Sequence, residues 1–145
     1  MQKILIIDDD HHILLMIKKM LERAGYEVDL ASNGNEGLEL FKRIQADLVI
    51  TDIIMPEKEG LETIREMKRL SPNLKIIAMS GGGKISADNY LETAKIFGAS
   101  RVLEKPFSQK TMVMAVIDLL GVSSSGDISG GNDSRDKGLE QEKGG

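Results

Sequence analysis

Residues 47–60 read Asp-Leu-Val-Ile-Thr-Asp-Ile-Ile-Met-Pro-Glu-Lys-Glu-Gly. Leu48, Val49 and Ile50 form a short apolar run rich in β-branched residues, with Pro56 and Gly60 soon after. A run of that kind, bounded by breakers, predicts a strand buried on both faces of a sheet. Asp52 stands where the run stops, at the carboxyl end of the strand. Ligands and chemistry gather at such ends in open α/β sheets. A carboxylate beside so apolar a strand is costly without partners. Asp52 therefore either caps a following helix or belongs to a site, and the rest of the chain decides between the two.

Working outward, residues 3–7 form another apolar run, the first strand in chain order, ending in Asp8-Asp9-Asp10. Residues 11–24 read as a helix with Ile13, Ile17, Met20, Leu21 and Ala24 on one face, closed by Gly25. Residues 27–31 are a second strand. Asn33 with Glu36 three residues on is a capping-box pattern for a second helix, whose inward stripe is Leu38 and Phe41. Residues 47–51 are the third strand. Residues 60–70 follow as a helix with Leu61, Ile64 and Met67 inward, stopped by Ser71-Pro72. Residues 74–79 are a fourth strand ending at Ser80, followed by the pliable run Gly81-Gly82-Gly83-Lys84. A fourth helix is expected over 86–97, capped by Ser86, and a short fifth strand over 100–103. After the turn Lys105-Pro106-Phe107, Ser108 caps a fifth helix with Met112, Val113, Val116, Ile117 and Leu120 inward. Strands alternating with helices predict a parallel sheet with right-handed crossovers and helices on both faces.

Composition changes after Gly121. Residues 122–145 hold six Gly and five Ser, with only Val122, Ile128 and Leu139 apolar. Such a segment cannot bury enough surface to offset chain entropy. The expected organisation is one domain over 1–121 and a disordered polar tail over 122–145. Absence of cysteine excludes disulfides and thiolate metal sites and is compatible with a reducing compartment such as the cytoplasm. The start of the chain lacks a basic segment followed by a long apolar one, so it does not read as a signal peptide. No apolar run approaches the ~20 residues of a membrane span. The net charge of −4 argues against direct nucleic-acid binding.

In a parallel sheet the carboxyl ends of the strands share one edge. Asp8, Asp9 and Asp10 follow the first strand, Asp52 ends the third, Ser80 the fourth, and Lys105 follows the fifth. Two carboxylates roughly 5–6 Å apart repel by about 3 kcal/mol at an effective dielectric of ~20. A divalent cation with hard-oxygen preferences relieves such a cluster, and Mg²⁺ takes one or two carboxylates, waters and phosphate oxygens.

Over roughly residues 3–121 this constellation resembles the receiver domain of two-component response regulators, of the single-domain chemotaxis-regulator type. The resemblance rests on Asp8-Asp9, Asp52-Ile53-Ile54-Met55-Pro56 with Gly60, Ser80 with the glycines after it, and Lys105-Pro106-Phe107. It implies a flavodoxin-like sheet in the order 2-1-3-4-5. It implies that Asp52 accepts a phosphoryl group from a histidine kinase or phosphotransfer protein. Mg²⁺, with Mn²⁺ as the alternative, would be held by Asp9, by Asp8 directly or through water, by Asp52, and by the backbone carbonyl of Ile54. Lys105 would neutralise phosphoryl oxygens and Ser80 would donate to the bound group. The implied switch residues are Ser80, Gly81 and Val102, and the implied output surface is the face of the fourth helix, fifth strand and fifth helix.

Departures from the family pattern fall at the switch. Many receivers carry an aromatic three positions before the lysine, where this chain has Val102. They often have Thr-Ala where it has Ser80-Gly81, and the stretch from Ser80 to Lys105 is a few residues longer here. Plainer readings hold elsewhere. Asp10 is expected to cap a helix rather than bind metal, and His11 and His12 are adjacent residues that do not face together. The glycines before Lys84 do not make a nucleotide loop, because Ile85 stands where a Ser or Thr is needed. A metal-dependent phosphatase or flavodoxin-like enzyme is the competing class. It lacks a second acid just after Asp52, where Ile53 and Ile54 stand, and has few aromatics to hold a flavin. No DNA-binding or catalytic output domain fits in the tail. The expected output is a change in which protein is bound, either by this chain alone or as the receiver of a longer protein.

Overall fold

The apolar runs at residues 4–7, 48–50 and 76–79 become strands covered on both faces. The computed structural model describes residues 1–53, 60–81, 95 and 98–121. Its strands are β1 (Lys3–Ile7), β2 (Glu27–Ala31), β3 (Leu48–Asp52), β4 (Lys75–Gly81) and β5 (Arg101–Lys105). Its helices among the described residues are α1 (His11–Arg23), α2 (Gly34–Ile44), α3 (Gly60–Leu70) and α4 (Gln109–Leu120). Apart from Lys95, the helix expected over 86–97 lies outside the described residues, as do the Gly82–Lys84 stretch and the expected tail over 122–145. All strands pair in parallel in the order β2-β1-β3-β4-β5, the flavodoxin-like arrangement.

Successive strand residues point to opposite faces, and the core divides accordingly. Ile4, Ile6, Leu48, Ile50, Ile77, Met79 and Leu103 pack with Leu14, Ile17, Met20 and Leu21 of α1 and Met112, Ala115 and Val116 of α4. Leu5, Ile7, Val49, Ile76 and Ala78 pack with Phe41 of α2 and Ile64 and Met67 of α3. Each fully buried Ile or Leu contributes roughly 1.5–3 kcal/mol. An exposed ion pair such as Arg101–Asp118, at 3.2 Å, contributes about 0–1 kcal/mol. The two apolar layers therefore decide the fold.

Local details differ from expectation. On α1 the buried residue beside Ile17 is Leu14, while Ile13 and Ala24 are only partly buried against the core. On α4 the buried set is Met112, Ala115 and Val116, and Ile117 is half-buried. Both strands that reach the site run further than their apolar residues. Ser80 pairs with Glu104 and Gly81 with Lys105, so Lys105 closes β5 rather than standing in a turn. The ladder needs only backbone groups, and it continues where side-chain periodicity has stopped.

Half of the expected capping box forms. Asn33 Oδ1 accepts the Glu36 N–H at 2.8 Å. Glu36 turns instead to Ser32, accepting its N–H at 2.7 Å and its hydroxyl at 2.8 Å. The Ser32 N–H hydrogen bond, then the hydroxyl, lowers the Glu36 carboxyl below its ordinary value, with slight burial opposing and the nearby His11 charge assisting. Because the folded value is depressed, the linked stability is present above the unfolded value of about 4.3 and is lost as pH falls through the folded value. NMR titration of Glu36 is expected to give a midpoint below that reference. Ser32→Ala should recover less than half of the shift, because the larger contribution comes from a backbone N–H that alanine keeps. A midpoint fully restored in Ser32→Ala contradicts this ordering.

Gly37 of α2 lies against Ile7, the last residue of β1. A Cβ built on Gly37 overlaps Ile7 Cδ1 and meets Cγ1 at 2.8 Å. Ile7 is fully buried and β-branched, so it has little room to turn away. Gly37→Ala is expected to cost about 1–3 kcal/mol by overpacking. Adding Ile7→Val removes Cδ1 and should recover part of that loss. Denaturant melts of the two single variants and the double variant measure the coupling, and strict additivity would disprove the contact.

Candidate functional site

The parallel register brings the ends of β1, β3, β4 and β5 to one edge. Ile7 pairs with Thr51, Asp52 with Met79, and Gly81 with Lys105. Asp8 follows β1 directly, held in line by its N–H donating to the Ala31 carbonyl at 3.1 Å. Its side chain is fully buried. Asp8 Oδ1 accepts the Asp10 N–H at 2.9 Å, and Oδ2 accepts the Lys105 ammonium, also at 2.9 Å. Asp52 is buried at the end of β3, and Lys105 Nζ stands 3.4 Å from its Oδ2. Lys105 thus reaches from β5 past β4 and β3 to an aspartate that follows β1.

Asp9 is exposed and completes the cluster. One carboxylate oxygen from each of Asp8, Asp9 and Asp52 lies within 4.8 Å of the others. At that separation each pair of charges repels by about 3 kcal/mol at an effective dielectric of ~20. Burial on its own lowers the Lys105 ammonium. The Asp8 hydrogen bond and the charges of Asp52 and Asp8 more than reverse this, and its value ends above that of an ordinary lysine. The ammonium therefore remains charged at neutral pH. Three carboxylates and one ammonium carry a formal charge of −2, which a divalent cation brings to zero. The donors are hard oxygens, one of them on an exposed residue that leaves room for water, and this set fits Mg²⁺.

The other expected residues fall as follows. Ser80 is buried, next to last in β4, and Gly81 is exposed, with no described residue within 4 Å of the position of a Cβ. Val102 pairs with Ala78 further down the strands and packs, half-buried, against the α2–α3 side of the core. Ile54 lies outside the described residues. Asp10 caps α1, its Oδ1 accepting the N–H groups of His12 at 2.9 Å and Ile13 at 3.4 Å. The tie between Asp8 and the Asp10 N–H escaped the sequence reading. An aspartate followed two residues on by a chain reversal is the local signal that could have found it.

Comparison with known proteins agrees with this geometry. Residues 4–117 match the response regulator receiver domain. The chain belongs to the response regulator receiver family. This receiver is 37% identical over 116 residues to the chemotaxis protein CheY of Thermotoga maritima, covering 79% of this chain and 94% of that protein. It is 29% identical over 124 residues to sporulation initiation phosphotransferase F of Bacillus subtilis, covering 86% of this chain and 98% of that protein. A solved receiver domain protein from Clostridium thermocellum superposes with a TM-score of 0.75 at 37% identity, over 83% of this chain and 94% of that one. Membership makes the chain a signalling phosphoacceptor rather than an enzyme, with a histidine kinase as the implied partner class. It displaces the phosphatase reading. No helix among the described residues is long and apolar enough to cross a membrane.

The receiver's acidic edge depends on Lys105 while metal is absent. Lys105→Met is expected to lower metal-free stability by about 1–3 kcal/mol, because carboxylates lose a charged hydrogen-bond partner. Mg²⁺ should then raise the melting temperature of this variant more than that of the wild type, since it supplies the missing positive charge. Thermal melts with and without Mg²⁺ test this, and equal shifts would show that the ammonium does not neutralise the cluster.

Proposed function

We propose that Asp52 accepts a phosphoryl group from a histidine kinase or phosphotransfer protein, and that the chain signals by phosphorylation-dependent protein binding. One observation carries the reading: the Lys105 ammonium sits between Asp8 and Asp52, 2.9 and 3.4 Å away, at an edge where three carboxylates converge. A carboxylate is a competent nucleophile toward phosphorus. An Asp52 oxygen bonds to phosphorus as the donor's phosphorus–nitrogen bond breaks, leaving an acyl phosphate on Asp52 and the imidazole on the donor. Phosphoryl transfer is mainly positioning and charge neutralisation.

Asp9, Asp8 and Asp52, with the Ile54 carbonyl, would hold Mg²⁺ or Mn²⁺, which when bound supplies neutralising charge to the phosphoryl oxygens. Lys105 moves its hydrogen bonding from the carboxylates toward those oxygens. Ser80 donates its hydroxyl to the bound group. Ser80 and Gly81 are the proposed moving positions of the switch, and Val102 is the switch position where many receivers carry a rotating aromatic. The face formed by the helix expected over 86–97, β5 and α4 is the proposed docking surface for a downstream protein. The net charge of −4 supports a protein partner over direct nucleic-acid binding, and the proposed setting is the cytoplasm.

Incubation with Mg²⁺ and acetyl phosphate tests the nucleophile. Intact-mass measurement is expected to show one added phosphoryl group on the wild type and none on Asp52→Asn. Equal labelling of the Asn variant would move the acceptor to another residue.

A further inference from the structure

We infer that Asp10 is a positioning residue for the metal-binding carboxylates, acting through Asp8; this rests on the metal reading given above. Asp10 is exposed and not among the clustered carboxylates, so its obvious role is the cap of α1. The cap, however, has a second consequence. With its side chain bound to the N–H groups of His12 and Ile13, Asp10 is held at φ −94° and ψ 107°, an extended conformation. In that conformation its own N–H reaches Asp8 Oδ1 at 2.9 Å.

Asp8 is fully buried, and its other oxygen is taken by Lys105. The two hydrogen bonds, one to each oxygen, fix the plane of the carboxylate and hence the direction it presents to Asp9 and Asp52. Groups that orient metal ligands in this way commonly change metal affinity 10- to 100-fold when lost. Here the N–H itself survives any substitution except proline, and only its fixed direction depends on the cap. The lower end of that range is therefore expected. The Asp10 charge is a separate effect, which the cap's geometry does not alter and which the variants must hold constant.

Three variants separate cap from charge. Asp10→Asn and Asp10→Ser remove the charge but are good helix caps, whereas Asp10→Ala removes both. Mg²⁺ affinity is measured on the full chain by titration calorimetry, and amide exchange at residue 10 by NMR. Asp10→Ala is expected to bind Mg²⁺ about tenfold more weakly than the Asn and Ser variants. It should also lose exchange protection at residue 10, which those two keep. Equal affinity in all three variants overturns the inference and leaves the metal site standing. Failure of the wild type to bind Mg²⁺ removes the metal site and this inference together. Melting of each metal-free variant shows that the comparison is made on folded protein, and an Asp10→Ala protein that is folded and binds as tightly as Asp10→Asn also overturns it.

Discussion

The structure turns on like charges held together. Asp8, Asp9 and Asp52 bring their oxygens within 4.8 Å of one another, and two of the three are buried. Left alone, such an arrangement favours protonation or unfolding. Lys105 relieves it only in part. Its ammonium touches Asp8 and Asp52, and the three carboxylates and this ammonium together keep a formal −2. Three hard carboxylate oxygens converging at this sheet edge are consistent with a divalent metal site.

Packing beneath the edge makes the charge cluster sustainable. β1 and β3 are covered on both faces, with Ile4 through Ile7 and Leu48 through Ile50 fully buried. Their ladder places Ile7 beside Thr51, and so fixes Asp8 and Asp52 relative to each other before any electrostatic term acts. The close approach of α2 at Gly37 presses on Ile7, the residue just before Asp8. Repulsion of a few kcal/mol is borne because spreading the aspartates would require sliding strands whose apolar side chains interlock. The cost of the site is spread through a core that contains no part of it.

Much of this was legible in the sequence because it follows from backbone rules. Leu48-Val49-Ile50 fits an interior strand, and parallel topology then puts Asp8, Asp52, Ser80 and Lys105 on one edge with no knowledge of side-chain contacts. What escaped depends on tertiary detail. The ends of β4 and β5 were placed short because Ser80, Gly81, Glu104 and Lys105 carry no apolar pattern, although their backbones pair. On α1, Ile13 and Leu14 both fit an inward arc, and the way the helix lies on the sheet chose Leu14. At α2, the pattern of Asn33 and Glu36 predicted a reciprocal cap, but Ser32 offered Glu36 two donors where the Asn33 N–H offered one. The Asp8–Lys105 pair joins residues from strands separated by two others, and its geometry emerges only once the sheet is built.

Under the phosphorylation proposal, the remaining problem is how a change of charge at this edge reaches a helical surface. Val102 cannot act as a rotating lever. It is small, stiff at its first torsion and already packed against the α2–α3 side of the core. Ser80 stands near the end of β4, and among the described residues nothing lies within 4 Å of where a Gly81 side chain would begin. A hydrogen bond from Ser80 to a charged group contributes roughly 1.5–3 kcal/mol, whereas swinging a two-state equilibrium from 1:99 to 99:1 takes about 5.5 kcal/mol. Ser80 alone therefore gives a graded response. A sharper one needs a second contribution, and Lys105 is placed to give it. Its ammonium is shared between two carboxylates, and under the proposal any step that draws it to a third group loosens its hold on Asp8, at the opposite side of β3 from β5. The same ammonium that stabilises the resting edge is then the one whose departure marks the active state, so resting stability and switching amplitude are coupled through one side chain.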